Sequence, residues 1–175
     1  MRKRIDVAVL TALLVAACME PRQVNSPSAA LGRDEIGVGL SVSDSAPRPG
    51  ATVSVLVRLV GASGQAPAVG SYTARLSYDT LAFRYAGELA LGDRATRIVN
   101  PVAGNLRAAG IATGGMAGGR IFGVLFQVRD ARAVAALRDI RVSFAELHST
   151  AREDLRVRLR PMGLTSGGTG LVGMP

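Results

Sequence analysis

The chain has 175 residues, 48% hydrophobic, 19% charged and only 4% aromatic, with one cysteine, one histidine and no tryptophan. A chain of this size hides roughly 68–70% of its unfolded surface and builds a core without staples. One cysteine closes no internal disulfide, and one cysteine with one histidine leaves no soft ligand set for zinc, haem or an iron–sulfur cluster, so no metal and no cofactor is expected. The net charge of +8 comes from 20 arginines and one lysine against 13 acids. These charges are scattered singly rather than gathered in one run, which argues against nucleic-acid binding.

Arg2-Lys3-Arg4 is a positive segment, and Val7 to Ala17 is an apolar run of 11 residues, right for an export signal and too short to span a bilayer as a helix. The run ends in Leu14-Val15-Ala16-Ala17-Cys18. That ending resembles the lipobox of bacterial lipoproteins, in which the cysteine is acylated and becomes the new N-terminus. Cleavage after Ala17 by an ordinary signal peptidase fits the same boundary and differs only in leaving Cys18 without lipid. Several acyl chains on one cysteine give stable anchoring, whereas one chain is marginal. Met19 follows rather than aspartate, so the resemblance implies the outer membrane. The organisation expected is a signal peptide at 1–17, a lipidated N-terminus and flexible tether at 18–35 with Pro21, Asn25, Ser26 and Pro27, a folded domain at 36–160, and a disordered glycine-rich tail at 161–175.

Within 36–160 the pattern has period two in short runs separated by turn residues, which predicts an all-β fold, a two-sheet sandwich or jelly roll of about nine strands. Ile36 to Val42 is the first run. Pro47-Arg48-Pro49-Gly50 turns the chain, and Val53, Val55, Val57 and Leu59 then share one face of a half-buried strand. Tyr72, Ala74, Leu76 and Tyr78 alternate with Ser71, Thr73, Arg75 and Ser77; beyond Asp79-Thr80, Leu81, Phe83 and Tyr85 do the same, so the two runs predict a hairpin. Further strands are expected at Thr96–Val99, Leu106–Ala112, Arg120–Arg129, Ile140–Leu147 and Leu155–Arg160, with a helical turn at Ala131–Arg138.

Leu76-Ser77-Tyr78-Asp79-Thr80-Leu81 is similar to a strand of the bacterial cohesin domain that ends in a Tyr-Asp-Pro corner, with Thr80 where proline is usual. Gly114 to Gly119, followed by Arg120-Ile121-Phe122-Gly123-Val124-Leu125-Phe126-Gln127-Val128, resembles that family's Gly-x-Leu-Phe strand ending in Phe-x-Val. Phe144-Ala145-Glu146-Leu147 resembles its late Ala-Glu-Leu, and Pro49 to Val53 its Pro-Gly-x-x-Val entry. The resemblance implies a nine-stranded jelly-roll sandwich that binds dockerin modules through one sheet face, without catalysis. The same superfamily includes carbohydrate-binding modules, so polysaccharide binding or breakdown is the alternative. The chain carries no Asp-x-Asp-x-Asp-Gly loop of the dockerin kind, so a dockerin-bearing partner would be another protein.

Phe122, Val124, Phe126 and Val128 share one strand face, which puts Ile121, Leu125 and Gln127 on the other. With Leu56, Val60 and Arg58 from the opposite face of the valine-rich strand they form a candidate partner-binding patch of Leu56, Arg58, Ile121, Leu125 and Gln127. The competing reading is that a loop or the Ala131–Arg138 turn covers them. Arg156, Arg158 and Arg160 predict a positive ladder on the last strand, which solubilises an edge or meets an acidic polysaccharide. His148 has no nucleophile elbow near it, and the adjacent acids Glu153-Asp154 and Asp34-Glu35 point to opposite strand faces, so no catalytic set is expected. All seven aromatic residues fall on faces assigned to the core, which weakens direct sugar binding. A lipid-anchored, non-catalytic envelope module with a protein partner is the functional expectation.

Overall fold

The computed structural model describes residues 31–166; Cys18, the signal segment and the end of the glycine-rich tail lie outside the described residues. Those residues form nine strands, β1 (Ile36–Val42), β2 (Thr52–Gly61), β3 (Val69–Ser77), β4 (Phe83–Glu88), β5 (Thr96–Val102), β6 (Asn105–Ile111), β7 (Arg120–Val128), β8 (Arg141–Ser149) and β9 (Leu159–Ser166). They make a five-stranded sheet in the order β4-β7-β2-β1-β9 and a four-stranded sheet in the order β5-β6-β3-β8. A short helix, α1 (Ala133–Ala136), lies in the predicted helical turn.

Period-two burial builds the core. Val53, Val55, Val57 and Leu59 of β2 face inward beside Phe122, Val124, Phe126 and Val128 of β7, and Tyr72, Ala74, Leu76, Leu106, Ala108 and Leu147 meet them from the other sheet. Each valine, leucine or phenylalanine so buried contributes roughly 1.5–3 kcal/mol, and a slip of one residue would turn the whole set to solvent, so these strands fix their own register. Aromatic contacts join the layers: Tyr72 stacks on Phe122 at 5.7 Å, and Tyr78 leans on Phe126 at 4.7 Å. All seven aromatics are buried or packed against this core.

Three expectations are corrected. The runs on either side of Asp79 are not a hairpin, because β3 lies in the four-stranded sheet and β4 pairs with β7 in the other. Asp79 makes the corner by accepting the Leu81 N–H at 2.8 Å on its carboxylate and the Phe83 N–H at 2.9 Å on its carbonyl, which throws Leu81 out to 63% exposure. The last strand does not begin at Leu155: Arg156–Arg158 is a 3₁₀ turn over a buried Leu155, and β9 starts at Leu159. Residues 161–166, assigned by composition to the tail, instead continue β9, which runs parallel to β1.

Two polar contacts tie the two sheets together at the β5 end: the Glu88 carboxylate of β4 accepts the Val99 N–H of β5 at 3.0 Å, and Arg97 crosses in the other direction. The Arg97 side chain leaves the four-stranded sheet and donates through Nε to the Ile121 carbonyl at 2.6 Å and through Nη2 to the Arg120 carbonyl at 3.3 Å. It also makes a two-pronged pair with Asp93 at 2.5 and 2.7 Å, with both side chains largely buried, at 11% and 8% exposure. The carbonyls it holds belong to a bulge in β7: Val57 pairs with Phe122 and Arg58 with Arg120, so Ile121 is the extra residue. The Arg97 hydrogen bonds hold the Asp93 carboxyl down at about 2, below its ordinary 3.8.

Removing one partner of a buried pair strands the other, so Arg97→Ala is expected to cost about 3 kcal/mol in chemical denaturation. The depressed Asp93 value places its contribution above the unfolded-state value of 3.8 and removes it as pH falls through about 2. Melting temperature should therefore fall more steeply from about pH 4 to about pH 2 in the wild type than in Asp93→Asn; equal slopes would mean that the pair adds nothing to stability.

Candidate protein-binding face

The expected patch on the five-stranded sheet is closed. The β7 bulge breaks the alternation, so Ile121 turns into the core beside Phe122 and is fully buried. Leu56 is also buried, at 6% exposure, by a different device. Its cross-strand partner is Gly123, and the Leu89 side chain lies over that glycine so closely that a Cβ there would meet it at 2.8 Å. Leu125 is half-buried, Gln127 is half-buried with its carbonyl oxygen accepting a hydrogen bond from Arg84, and only Arg58 stands fully in solvent. Leu89, outside the Ala131–Arg138 turn, therefore closes this face at Gly123, and the five residues do not form an open apolar patch.

The arginine ladder also dissolves. Arg156 pairs with Asp154 at 2.7 Å, Arg158 with Glu153 at 3.2 Å and Arg160 with Glu35 at 2.8 Å, so the adjacent acids neutralise the three cations. His148 sits half-buried at the end of β8, where its backbone bridges to Asp154. Among the described residues no three His, Cys, Asp or Glu side chains gather as a metal site.

The open surface is the outer face of the four-stranded sheet. Because Val99, Leu106, Ala108, Tyr72, Ala74, Leu76 and Leu147 point inward, alternation sends Thr96, Ile98 and Asn100 of β5, Arg107, Ala109 and Ile111 of β6, and Ser71, Thr73 and Arg75 of β3 outward. The register lays them in rows. Thr96, Ile111, Ser71 and His148 form one; Ile98, Ala109, Thr73 and Glu146 the next; Asn100, Arg107, Arg75 and Ser143 the third; Val102, Asn105, Ser77 and Arg141 the last. Ile98 and Ile111 are 67% and 59% exposed on neighbouring strands, and Val102 is 45% exposed. Small residues between them leave the surface flat. Thr73 donates to Glu146 at 3.1 Å, the one side-chain hydrogen bond across the face among the described residues.

Ile98, Ile111, Arg75 and Arg107 were not singled out from sequence, although a signal existed. Ile98-Val99 is an adjacent apolar pair inside a strand and Ile111-Ala112 one at a strand's end, and a strand cannot send both members of such a pair inward unless it bulges.

No protein-family profile matches the chain, and no curated protein matches it significantly. Solved structures do share its fold. A non-cellulosomal cohesin from the hyperthermophilic archaeon Archaeoglobus fulgidus superposes with a TM-score of 0.54 at 16% identity, covering 74% of this chain and 88% of its own. The sixth cohesin of the Acetivibrio cellulolyticus scaffoldin B, solved in complex with a Cel5 dockerin mutant, gives 0.53 at 18% identity, covering 73% and 96%. A type II cohesin domain from the cellulosome of the same organism gives 0.54 at 9% identity, covering 73% and 92%. The nine strands in two sheets thus form a cohesin-like β-sandwich, the fold that the Tyr78-Asp79 corner, the Phe122–Val128 strand and Phe144–Leu147 had suggested.

Proposed function

We propose that this chain is a non-catalytic protein-binding module that engages another protein through the outer face of the β5-β6-β3-β8 sheet. The observation that carries this reading is the pairing of a cohesin-like sandwich with a flat, open sheet face on which Ile98 and Ile111 stand in solvent. Large apolar side chains exposed side by side on a rigid sheet, rimmed by polar groups, have the composition of an interface core. Cohesin neighbours solved with dockerins bound support a dockerin-type partner. Inward placement of all seven aromatic residues leaves no stacking platform on the surface, which favours a protein over a sugar. Lipid on Cys18 would hold the module at the bacterial cell envelope.

Immobilised full-length protein should retain a specific partner from the organism's envelope and secreted extract. Ile98→Asp and Ile111→Asp should each weaken that retention tenfold or more while changing stability by less than about 1 kcal/mol, since both sites are exposed. Arg58→Asp, on the opposite sheet, should leave it unchanged. Loss of the partner on calcium chelation would support a dockerin, whereas retention sensitive to Arg58→Asp alone would overturn the choice of face.

For the anchor, membrane fractionation of Cys18→Ala should move the protein from the membrane pellet to the soluble fraction; a mutant wholly in the pellet would sink the lipid assignment.

A further inference from the structure

Arg75 of β3 and Arg107 of β6 stand directly opposite one another in the antiparallel register, both exposed on the open face. Residues so paired have Cβ atoms about 4.5–5.5 Å apart, and like charges in that position destabilise the sheet. Neither guanidinium makes a hydrogen bond or an ion pair among the described residues; other described arginines also lack an acid within 4 Å, but these two stand directly opposite one another across a strand pair. Their strand neighbours cannot neutralise them: the third row continues with Asn100 and Ser143 on its two sides. Glu146, the acid on this face, lies one row away with its carboxylate engaged by Thr73.

Resting on the face assigned above, we infer that the partner is an acidic protein segment, placing a carboxylate between Arg75 and Arg107 and an apolar side chain against Ile98 and Ile111. A carboxylate accepts two parallel N–H bonds from a guanidinium fork, and one set between two forks removes the repulsion that the free domain carries. Ile98, in the next row, and Ile111, in the row beyond it, supply the apolar half of the site. They also separate this occupant from a nucleic acid or a charged polysaccharide: single-stranded nucleic acids need aromatic platforms, which this face lacks, and a polysaccharide acid has little to bury against isoleucine.

The test uses the full chain, ¹⁵N-labelled in mild detergent, titrated with a synthetic peptide alternating glutamate and leucine and with its counterpart carrying glutamine for glutamate. The glutamate peptide should shift the amide resonances of Arg75, Arg107 and Ala109 and bind at least tenfold more tightly than the glutamine peptide. Arg75→Gln with Arg107→Gln should abolish that difference while melting no lower than wild type at low salt, because removing the repulsion does not weaken the free domain. Equal binding of the two peptides at these amides, lost in Ile98→Ser, would leave the face standing and overturn the acidic partner. Absence of any shift there at millimolar peptide would overturn both. Heparin or a single-stranded oligonucleotide binding these amides more tightly than the glutamate peptide would overturn the protein character of the ligand, and a double variant that melts well below wild type would assign the arginines to the fold instead.

Discussion

Arg97 reaches from one sheet to the backbone of the other, and the position it holds decides which surface of the molecule is closed. Its guanidinium donates to the carbonyls of Ile121 and Arg120, where β7 carries one residue more than β2. Without that extra residue the alternation inherited from Phe122, Val124 and Phe126 would send Ile121 outward. With it, Ile121 joins the core and the outer face of the five-stranded sheet loses one of its large aliphatic side chains. Asp93 completes the arrangement by holding Arg97 aimed at these carbonyls through its two-pronged pair.

The two outer faces are finished differently. On the five-stranded sheet, Gly123 leaves a space that Leu89 fills, and Leu56 is buried beside it. On the four-stranded sheet no segment among the described residues folds over the strands, and Ile98 and Ile111 keep more than half of their surface in water. Of the two outer faces, it is the four-stranded one that leaves large aliphatic side chains bare.

Legibility followed how many residues each constraint involves. The β2 and β7 strands were readable because four alternating large side chains point one way in each, and no other period fits them. Fold class and the inward placement of the aromatics came from the same arithmetic. What sequence misplaced turned on single residues or on contacts between distant segments. The Ile121 bulge depends on an arginine 24 positions away. The break at Asp79 depends on one carboxylate capping Leu81, and Leu81 alternates with Phe83 whether the chain turns back or crosses to the other sheet. Leu155 to Arg160 alternates equally well as a strand and as a 3₁₀ turn over Leu155, and ion pairs with Glu153, Asp154 and Glu35 favour the turn and the start of β9 after it. Glycine and proline in residues 161–166 hid a strand that takes its order from β1.

The charge imbalance of the sequence finds its place in this architecture. Asp44, Asp79, Asp93, Asp130 and Asp154 each accept the N–H of the residue two positions on, the geometry of a side-chain-closed turn, and several also pair with an arginine at the same corner. The acids are thus consumed where the chain changes direction, at the ends of the sandwich. Strand faces have no turns to close, so arginines there find few acids beside them, and Arg75 and Arg107 stand opposite one another on β3 and β6 with no acid beside them among the described residues. Among the described arginines with no acid within 4 Å, Arg75 and Arg107 are the two that stand on the face carrying Ile98 and Ile111. The positive charge and the exposed isoleucines are therefore two properties of one surface, because the same alternation that builds the core behind it sends both outward.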